Sequence, residues 1–273
     1  MKNIAIFIAL VFCVQAFGQR KPKIKGNRNV VDVSEVLPPF NAIELKDDLT
    51  ITLQKASEEG YAITADENLL DVLKFEVEDS TLVISSYYKI TGKKKLDITV
   101  RYNYIEAITM QDGRMEMKDI ISSNQFFVNT YGSSKLQMNV NAPFVNVNME
   151  GSSGGDFNII SDSLNMQLKE RIDVSVYTTS ESNILKMTEN ASAKLEGTAT
   201  TFIVNLYGNA NLKAEKLEAA TVIASLEESP NARINAYQDF ELSSRGSSKT
   251  YFYGAAKIVL TDFLDTSQLH KEK

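Results

Sequence analysis

A recurring turn-and-strand unit constrains the fold of this chain more than any other feature, and it runs from about residue 110 onward. Each unit opens on a cluster of small and polar residues, such as Gly132-Ser133-Ser134 or Gly151-Ser152-Ser153, and continues into an apolar residue. The first apolar residues after these turns are 17 to 22 residues apart, at positions 115, 136, 157, 174, 195, 212, 234 and 251. A period near 20 with two short strands per unit is typical of a β-solenoid, in which stacked units build one continuous core.

Two alternatives to an uninterrupted solenoid remain open at this point. A β-sandwich also places strands every 8 to 12 residues or so, but it gives no reason for recurring Gly/Ser turns, so the solenoid is favoured. Residues 212–226 are rich in Ala, Glu, Lys and Leu, which in isolation favours a helix. Only the phase of the repeats predicts strands there.

The segment ahead of the repeats, residues 36–108, also alternates apolar and polar side chains, which predicts half-buried strands. Asp66 stands before a short apolar cluster, so we expect one or two helical turns near residues 67–73 with Asp66 as the cap. The sequence thus predicts an all-β fold, a parallel β-helix or β-solenoid with coils of about 19–20 residues and one short helix.

Residues 1–18 have the pattern of a secretory signal peptide. Lys2 supplies the positive start, an uncharged apolar run follows, and the small residues Ala16 and Gly18 precede a predicted cut before Gln19. The apolar run is too short to span a bilayer and no second run of about 20 apolar residues exists, so no integral membrane segment is expected after processing. We therefore expect export to the periplasm, the outer surface or the medium.

The single cysteine and single histidine limit the chemistry. Cys13 would leave with the signal peptide, which removes disulfides, thiolate–metal sites and cysteine nucleophiles, and Phe12 before it argues against a lipid anchor. His270 lies in a polar tail, where fraying is expected. The net charge of −6 becomes −7 without Lys2, and an acidic exported protein is a poor partner for nucleic acid.

These observations divide the chain into segments. The expected boundaries are a signal peptide at 1–18, a polar and flexible lead-in at 19–35, a solenoid domain at 36–262 with its regular repeats from 109 to 262, and a polar tail at 263–273.

Several segments in order carry a resemblance to a known family. They are Val36-Leu37-Pro38-Pro39-Phe40-Asn41-Ala42-Ile43, residues 49–54, residues 61–70, Leu82-Val83-Ile84, the later Gly-Ser turns and Tyr253-Gly254-Ala255-Ala256-Lys257-Ile258. Over roughly residues 30–260 the chain resembles the putative auto-transporter adhesin head GIN domain family. Asp112-Gly113-Arg114 departs from it, because a Gly/Ala/Ser-Gly-Asp turn is usual there. The resemblance implies an exported parallel β-helix of the Bacteroidota and a name that suggests adhesion, and it implies no catalytic residues.

Candidate sites in the sequence each have a plainer explanation. The Gly-rich loop at 151–156 lacks the Gly-Lys-Ser/Thr ending of a phosphate loop, and its Gly-Gly-Asp is a single fragment of a calcium-binding repeat. Adjacent acidic residues in strands point to opposite faces, which favours solvated surface over acid–base work. These pairs are Asp47-Asp48, Glu58-Glu59 and Glu227-Glu228.

Aromatic residues and two tripeptides complete the candidates. Tyr207, Tyr251, Phe252 and Tyr253 are the residues of a predicted aromatic strip for sugars or a partner, with core or edge packing as the commoner alternative. Two tripeptides look like acceptor motifs for O-glycans on exported Bacteroidota proteins, and these are Asp79-Ser80-Thr81 and Asp162-Ser163-Leu164.

The function predicted from the sequence is a non-catalytic envelope or cell-surface protein that presents a solenoid face to an unknown protein or glycan. No catalytic, cofactor-binding or metal-binding residue is assigned, and homo-oligomerisation is left open. The first alternative is a carbohydrate-active β-helix enzyme, a lyase or hydrolase, which would need carboxylates or a basic residue converging on one face. The second is an extracytoplasmic sensory or envelope-stress module.

Overall fold

The computed structural model of the protein describes residues 21–273, so the predicted signal peptide lies outside the described residues. The chain is nearly all-β, with 70% strand and 2% helix, and it forms a β-solenoid of about 9 turns. The prediction of a solenoid with one short helix is confirmed.

The strands that precede the regular repeats are short. They are β1 (Lys23–Lys25), β2 (Val30–Val36), β3 (Ala42–Leu45), β4 (Thr50–Lys55), β5 (Gly60–Asp66), β6 (Leu73–Glu78), β7 (Thr81–Ser86), β8 (Lys89–Gly92) and β9 (Leu96–Tyr102), with a 3-10 helix at Glu67–Val72 between β5 and β6.

The repeats begin with short strands and then lengthen. They comprise β10 (Ala107–Met110), β11 (Arg114–Met117), β12 (Ile121–Ser122), β13 (Gln125–Thr130), β14 (Lys135–Asn141), β15 (Phe144–Met149), β16 (Gly154–Glu170), β17 (Asp173–Glu189), β18 (Ser192–Gly208), β19 (Asn211–Glu228), β20 (Asn231–Ser244), β21 (Lys249–Tyr253), β22 (Lys257–Phe263) and β23 (Gln268–Lys271).

Each coil crosses the solenoid twice, so the coils stack into two sheets. We call the sheet that contains residues 135–141, 154–160 and 173–179 the front sheet, and the sheet that contains 144–149 and 163–168 the back sheet. The long strand β16 bends between its two runs, because the buried positions change phase there: Phe157 and Ile159 are buried before the bend and Leu164 and Met166 after it.

The register gives the length of a coil directly. Gly154 pairs with Asp173, Asp173 with Ser192, and Ser192 with Asn211, all in parallel ladders, so these coils are 19 residues long. The helical alternative for residues 212–226 is wrong, because β19 lies there and pairs in parallel with β18 and β20. Two neighbouring ladders satisfy its backbone and override the local helix propensity.

Inward-pointing side chains form columns that run through the coils. In the back sheet one column consists of Phe126, Val145, Leu164, Asn183, Phe202, Val222 and Phe240, each at most 2% exposed. Burying a large apolar side chain contributes about 1.5–3 kcal/mol, so the columns supply most of the driving force for stacking.

The recurring Gly/Ser turns form one corner of the coil. Gly132 and Gly151 adopt positive φ angles of 57° and 85°, which favour glycine. Two residues later the serine is buried, and its hydroxyl donates to a corner carbonyl: Ser134 Oγ to Tyr131 O at 2.8 Å and Ser153 Oγ to Glu150 O at 3.0 Å. The positive φ angle recurs at the later corners, whereas Ile172, Ala191 and Ala210 replace the serine in the next coils, so the corners share a backbone conformation and not the hydroxyl bond.

The N-terminal end of the stack is covered by antiparallel strands. The outer edges of β3 and β4 pair with β7 and β9, which pair in turn with β6 and β5, and β2 pairs with β5. The lead-in is therefore not a flexible arm as expected, because β1 pairs with β8 and β2 adds a strand to this cover.

Asp66 does not cap the short helix as predicted. Its carboxylate accepts hydrogen bonds from the backbone N–H of Lys94 at 2.9 Å and of Lys95 at 3.2 Å, and these bonds lower its pKa. Asp66 thus fixes the turn between β8 and β9. The expected cap was a local interaction, whereas the observed contacts are made 28 and 29 residues away.

The C-terminal tail is also more ordered than expected. β22 pairs with β20, and β23 pairs with β21, so residues 268–271 continue the front sheet as one more parallel strand. The polar composition of the tail reflects the position of these strands at the end of the stack, where their side chains face solvent.

Candidate functional site

The structure places His270 at the end of the front sheet. Its ring stacks on that of Tyr251 with centroids 5.1 Å apart, and Nε2 lies 3.3 Å from Gln268 Oε1. In the described part of the chain no group of three or more His, Cys, Asp and Glu side chains is arranged to hold a metal ion.

The Gly-rich loop at 151–156 uses its backbone amides within the fold. Ser152 N–H donates to Gly132 O at 2.7 Å, and Gly154 N–H donates to Ser134 O at 2.9 Å. Amides that already serve the stacking ladder are not available to cradle a phosphate. The loop is therefore a corner of the solenoid.

Two of the three acidic pairs lie in turns and not in strands, because Asp47-Asp48 joins β3 to β4 and Glu58-Glu59 joins β4 to β5. Asp47 faces the N-terminal cover, where it accepts a hydrogen bond from Ser86 N–H at 2.8 Å and contacts the Lys21 amine, while Asp48 is exposed. Glu58 is exposed and Glu59 half-buried, and Glu228 lies at a corner with a φ of 76°.

The four aromatic residues do not form one strip. Phe252 is buried and stacks on Phe240 at 4.9 Å, whereas Tyr251 and Tyr253 point outward from the same strand. Tyr207 ends the back-sheet run of β18 beside Glu227 of the next coil. Phe252 therefore packs in the core, which was the alternative to an aromatic strip, and Tyr207 lies on a different surface from Tyr251 and Tyr253.

The two tripeptides lie in different settings. Asp79 and Ser80 form the exposed turn between β6 and β7, with φ angles of 46° and 62°. Ser163 is half-buried in β16, where it pairs with Phe144 and Ser182 of the adjoining coils. Ser80 is therefore the more accessible hydroxyl.

The front sheet carries a groove that no sequence motif marked. It has a volume of about 370 Å³ and opens beside Gly154 and Gly155, where two successive positions lack side chains. In the outward column Gly154 stands between Lys135 of the preceding coil and Asp173 of the next. The groove exists because the long side chains on either side have a glycine between them.

Both glycines are required by close contacts. A Cβ on Gly154 would lie 2.8 Å from Asp173 O, and a Cβ on Gly155 would lie 2.5 Å from the ring of Phe157. The Phe157 ring occupies the space next to Gly155 that an inward side chain would fill elsewhere. The floor of the groove beside these glycines is therefore backbone, which the close contacts hold in place.

Charged groups surround this floor in equal numbers. The cations are Arg114, Lys135 and Arg171, and the carboxylates are Glu116, Asp156 and Asp173. Arg114 pairs with Glu116 at 3.2 Å, whereas Lys135 and Arg171 form no ion pair within residues 21–273. The groove thus presents many donors and acceptors without a dominant net charge.

The groove continues along the front sheet into a second depression of about 260 Å³. The two share Gln137, Asp156 and Ser175, and the second adds Asn139, Asn158 and Tyr177. Tyr177 is 55% exposed, so its ring can act as a platform at this end. We call the combined depression the front groove.

Sequence reasoning missed Tyr177, although a signal for it existed. Val174 and Val176 alternate inward in β17, so the alternation alone predicts that Tyr177 points outward. Lys135 and Asp173 could not have been placed beside Gly154 without the 19-residue register.

The family model described as "Putative auto-transporter adhesin, head GIN domain" matches residues 39–155 and again residues 153–256. No curated protein matches the chain. No helix within residues 21–273 combines the length and apolar character that a membrane crossing requires.

Several solved structures share the fold at low sequence identity. A "putative adhesin" from Parabacteroides merdae ATCC 43184 aligns with a TM-score of 0.69 at 14% identity, over 92% of this chain and 100% of that one. A "putative adhesin" from Parabacteroides distasonis ATCC 8503 gives 0.68 at 12% identity, over 91% and 99%. A "putative lipid binding protein" from the same strain gives 0.64 at 17% identity, over 92% and 100%.

Proposed function

Because the chain belongs to the family of putative auto-transporter adhesin head GIN domains, we propose that it is a non-catalytic, exported adhesin that binds a glycan in the front groove. The family and its fold support an adhesin-like surface protein. The glycan ligand, the export route and the lack of catalysis are the finer parts of the proposal.

The combination of Tyr177 with the polar groups of the groove is the observation that carries the proposal. A sugar presents a face of C–H groups and a rim of hydroxyls, and an exposed aromatic ring beside amides, carboxylates and cations matches both. Gln137, Asn139, Asn158 and Asp156 can each accept or donate to a hydroxyl, and the sheet holds them on a rigid backbone.

The interior of the solenoid argues against a lipid as the ligand. The description "lipid binding" of one structural relative would call for an apolar cavity, but the inward columns here are filled by side chains that are almost completely buried. The front groove is lined mainly by polar and charged groups. Lipid binding is therefore an outcome that the experiment must be able to reveal.

A glycan array probed with the purified protein tests the ligand class. We expect binding to a defined set of glycans, which Tyr177→Ala should weaken about 5- to 150-fold because one stacked ring contributes about 1–3 kcal/mol in related stacking contacts. Tyr237→Ala is the matched control, since Tyr237 is 52% exposed but does not line the groove. A blank array, equal loss in both variants, or binding to lipid vesicles alone would overturn the glycan proposal.

Export is tested separately by the mass of the protein recovered from the cell envelope. Cleavage before Gln19 predicts a chain that starts at this residue, and surface accessibility to an added protease then distinguishes the outer surface from the periplasm. An intact N-terminus in the cytosol would contradict export without bearing on the groove.

A further inference from the structure

Two lysine-rich segments that lie far apart in the sequence meet at the N-terminal end of the solenoid. β1 and β8 pair in parallel, so Lys23 lies beside Lys89 on the neighbouring strand. We call residues 21–29 and 89–95 together the basic end. Its eight cations are all exposed, and they are Lys21, Lys23, Lys25, Arg28, Lys89, Lys93, Lys94 and Lys95.

The backbone of the basic end is held in place by hydrogen bonds between the two segments. Lys89 N–H donates to Pro22 O at 2.9 Å, and Gly26 N–H donates to Gly92 O at 2.8 Å. Ile90 is half-buried and packs against the hydrophobic core. Because successive residues of a strand point to opposite faces, the lysines of β1 and β8 face solvent together.

Two ion pairs neutralise part of the basic end within the described residues. Lys21 pairs with Asp47, and Lys95 pairs with Asp97. The carboxylate of Asp66 is buried and already accepts two backbone N–H donors. The other six cations form no ion pair within residues 21–273, and they are Lys23, Lys25, Arg28, Lys89, Lys93 and Lys94.

The charges of the chain are strongly segregated. All 35 Asp and Glu residues lie outside the basic end, whereas eight of the 29 Lys and Arg residues lie within it, so the remainder of the chain is strongly acidic. Lys23 and Lys89 also stand directly opposite each other on paired strands, where like charges repel and lower the stability of the fold. An anionic partner at this end relieves that repulsion.

We propose that the basic end docks on the surface of an anionic lipid bilayer and that the solenoid stands end-on to it. The headgroup phosphates of such a bilayer form a plane of negative charge, which attracts each exposed Lys or Arg within about a Debye length. The acidic remainder of the chain is repelled from the same plane. The charge segregation therefore sets the orientation of the solenoid as well as the contact.

An exposed tyrosine among the cations favours a bilayer over a soluble acidic polymer. Tyr88 is 38% exposed and lines a depression of about 510 Å³ together with Lys23 and Lys89. Tyrosine is enriched at the membrane–water boundary, where its ring meets the apolar region and its hydroxyl stays in water. The carboxylates Asp48 and Asp112 of this depression belong to the turns before β4 and β11, on the side away from the end.

Co-sedimentation with lipid vesicles tests the docking. The protein without residues 1–18 is used, because all described strands lie within residues 21–273 and the apolar run at 4–14 would itself bind lipid. We expect binding to phosphatidylcholine vesicles that contain about 30 mol% phosphatidylglycerol, and no binding to pure phosphatidylcholine. Raising NaCl from about 0.05 to 0.5 M should release the protein, because salt screens the attraction.

A pair of double variants tests which lysines make the contact. Lys23→Gln/Lys89→Gln should weaken binding to the anionic vesicles about 10- to 30-fold, because each lysine near the surface contributes about fivefold. Lys213→Gln/Lys249→Gln is the matched control, since both lysines are exposed in the regular repeats and form no ion pair within residues 21–273. It removes the same net charge and should change binding by less than about twofold.

A fluorescent reporter tests the orientation. The chain contains no tryptophan, so Tyr88→Trp and Tyr237→Trp each introduce a single one. Brominated lipids should quench the fluorescence of the Tyr88→Trp variant on docking. They should leave the Tyr237→Trp variant unquenched, because Tyr237 is 52% exposed but lies in β20 near the opposite end. Equal quenching of both variants would contradict the end-on orientation.

Four results would overturn the docking. They are no binding to anionic vesicles, equal binding to neutral vesicles, equal loss in the two double-lysine variants, and binding to dextran sulfate that survives the salt concentration at which the vesicles are released. The last result would assign the basic end to a soluble acidic polymer. Tyr177→Ala should leave vesicle binding unchanged, and Lys23→Gln/Lys89→Gln should leave glycan binding unchanged, so either proposal can fail while the other stands.

Discussion

Replacing Thr178 by valine should stabilise the protein. Thr178 is completely buried in the front sheet, and its hydroxyl has no hydrogen-bond partner. In the register it stacks between Ile159 and Gly197, so an inward methyl group would contact an aliphatic neighbour. Valine has the same shape and the same preference for strands, so the substitution changes polarity without opening a cavity.

The magnitude follows from the unpaired hydroxyl. A buried polar group without a partner costs about 1–3 kcal/mol, and Thr178→Val removes this cost. For a chain of this size each kcal/mol corresponds to about 2–4 °C in Tm. Thr130 and Thr250 are also fully buried with unpartnered hydroxyls, and they lie in other coils, so the three gains should add.

Guanidinium unfolding followed by circular dichroism is the assay. Thr179→Val is the matched control, because Thr179 is the next residue of the same strand and points to solvent. It should change the free energy of unfolding by less than about 0.5 kcal/mol. Loss of stability in Thr178→Val, or equal effects in both variants, would show that the hydroxyl is satisfied and that the reasoning is wrong.

Two further variants test the core and the coil geometry. Tyr102 is buried without a partner for its hydroxyl, and desolvation raises its pKa to about 12. Because the fold favours the neutral phenol, its stabilising contribution is fully present below pH 10 and is lost as the pH rises through 12. Urea unfolding at alkaline pH should show that Tyr102→Phe abolishes this pH-dependent loss, which is about 2 kcal/mol. Burial and Glu35 also raise the pKa of Tyr61 to about 12, so Tyr61 should still make the stability of this variant depend on pH. Gly197→Ala should destabilise the protein by about 2–4 kcal/mol in thermal unfolding, because φ is 115° and the new Cβ would lie 2.0 Å from Thr178 O. Gly92→Ala is the control, and it should unfold like the parent because its nearest contact is at 3.8 Å.

The fold was predictable from the sequence because one physical requirement repeats. Every coil must turn at a corner, and Gly132 and Gly151 with their buried serines recur at the spacing of the coil. That phase predicted strands at residues 212–226 against their helix propensity, which shows that ladder pairing on both sides outweighs local preference here.

Features that depend on contacts between distant residues were not predictable in the same way. Asp66 has the sequence position of a helix cap, but its partners Lys94 and Lys95 lie beyond three intervening strands. The front groove similarly depends on which residues stand above and below Gly154. From the sequence alone Gly-Gly-Asp indicates a loop, whereas the register shows that Gly154 leaves a position without a side chain between Lys135 and Asp173.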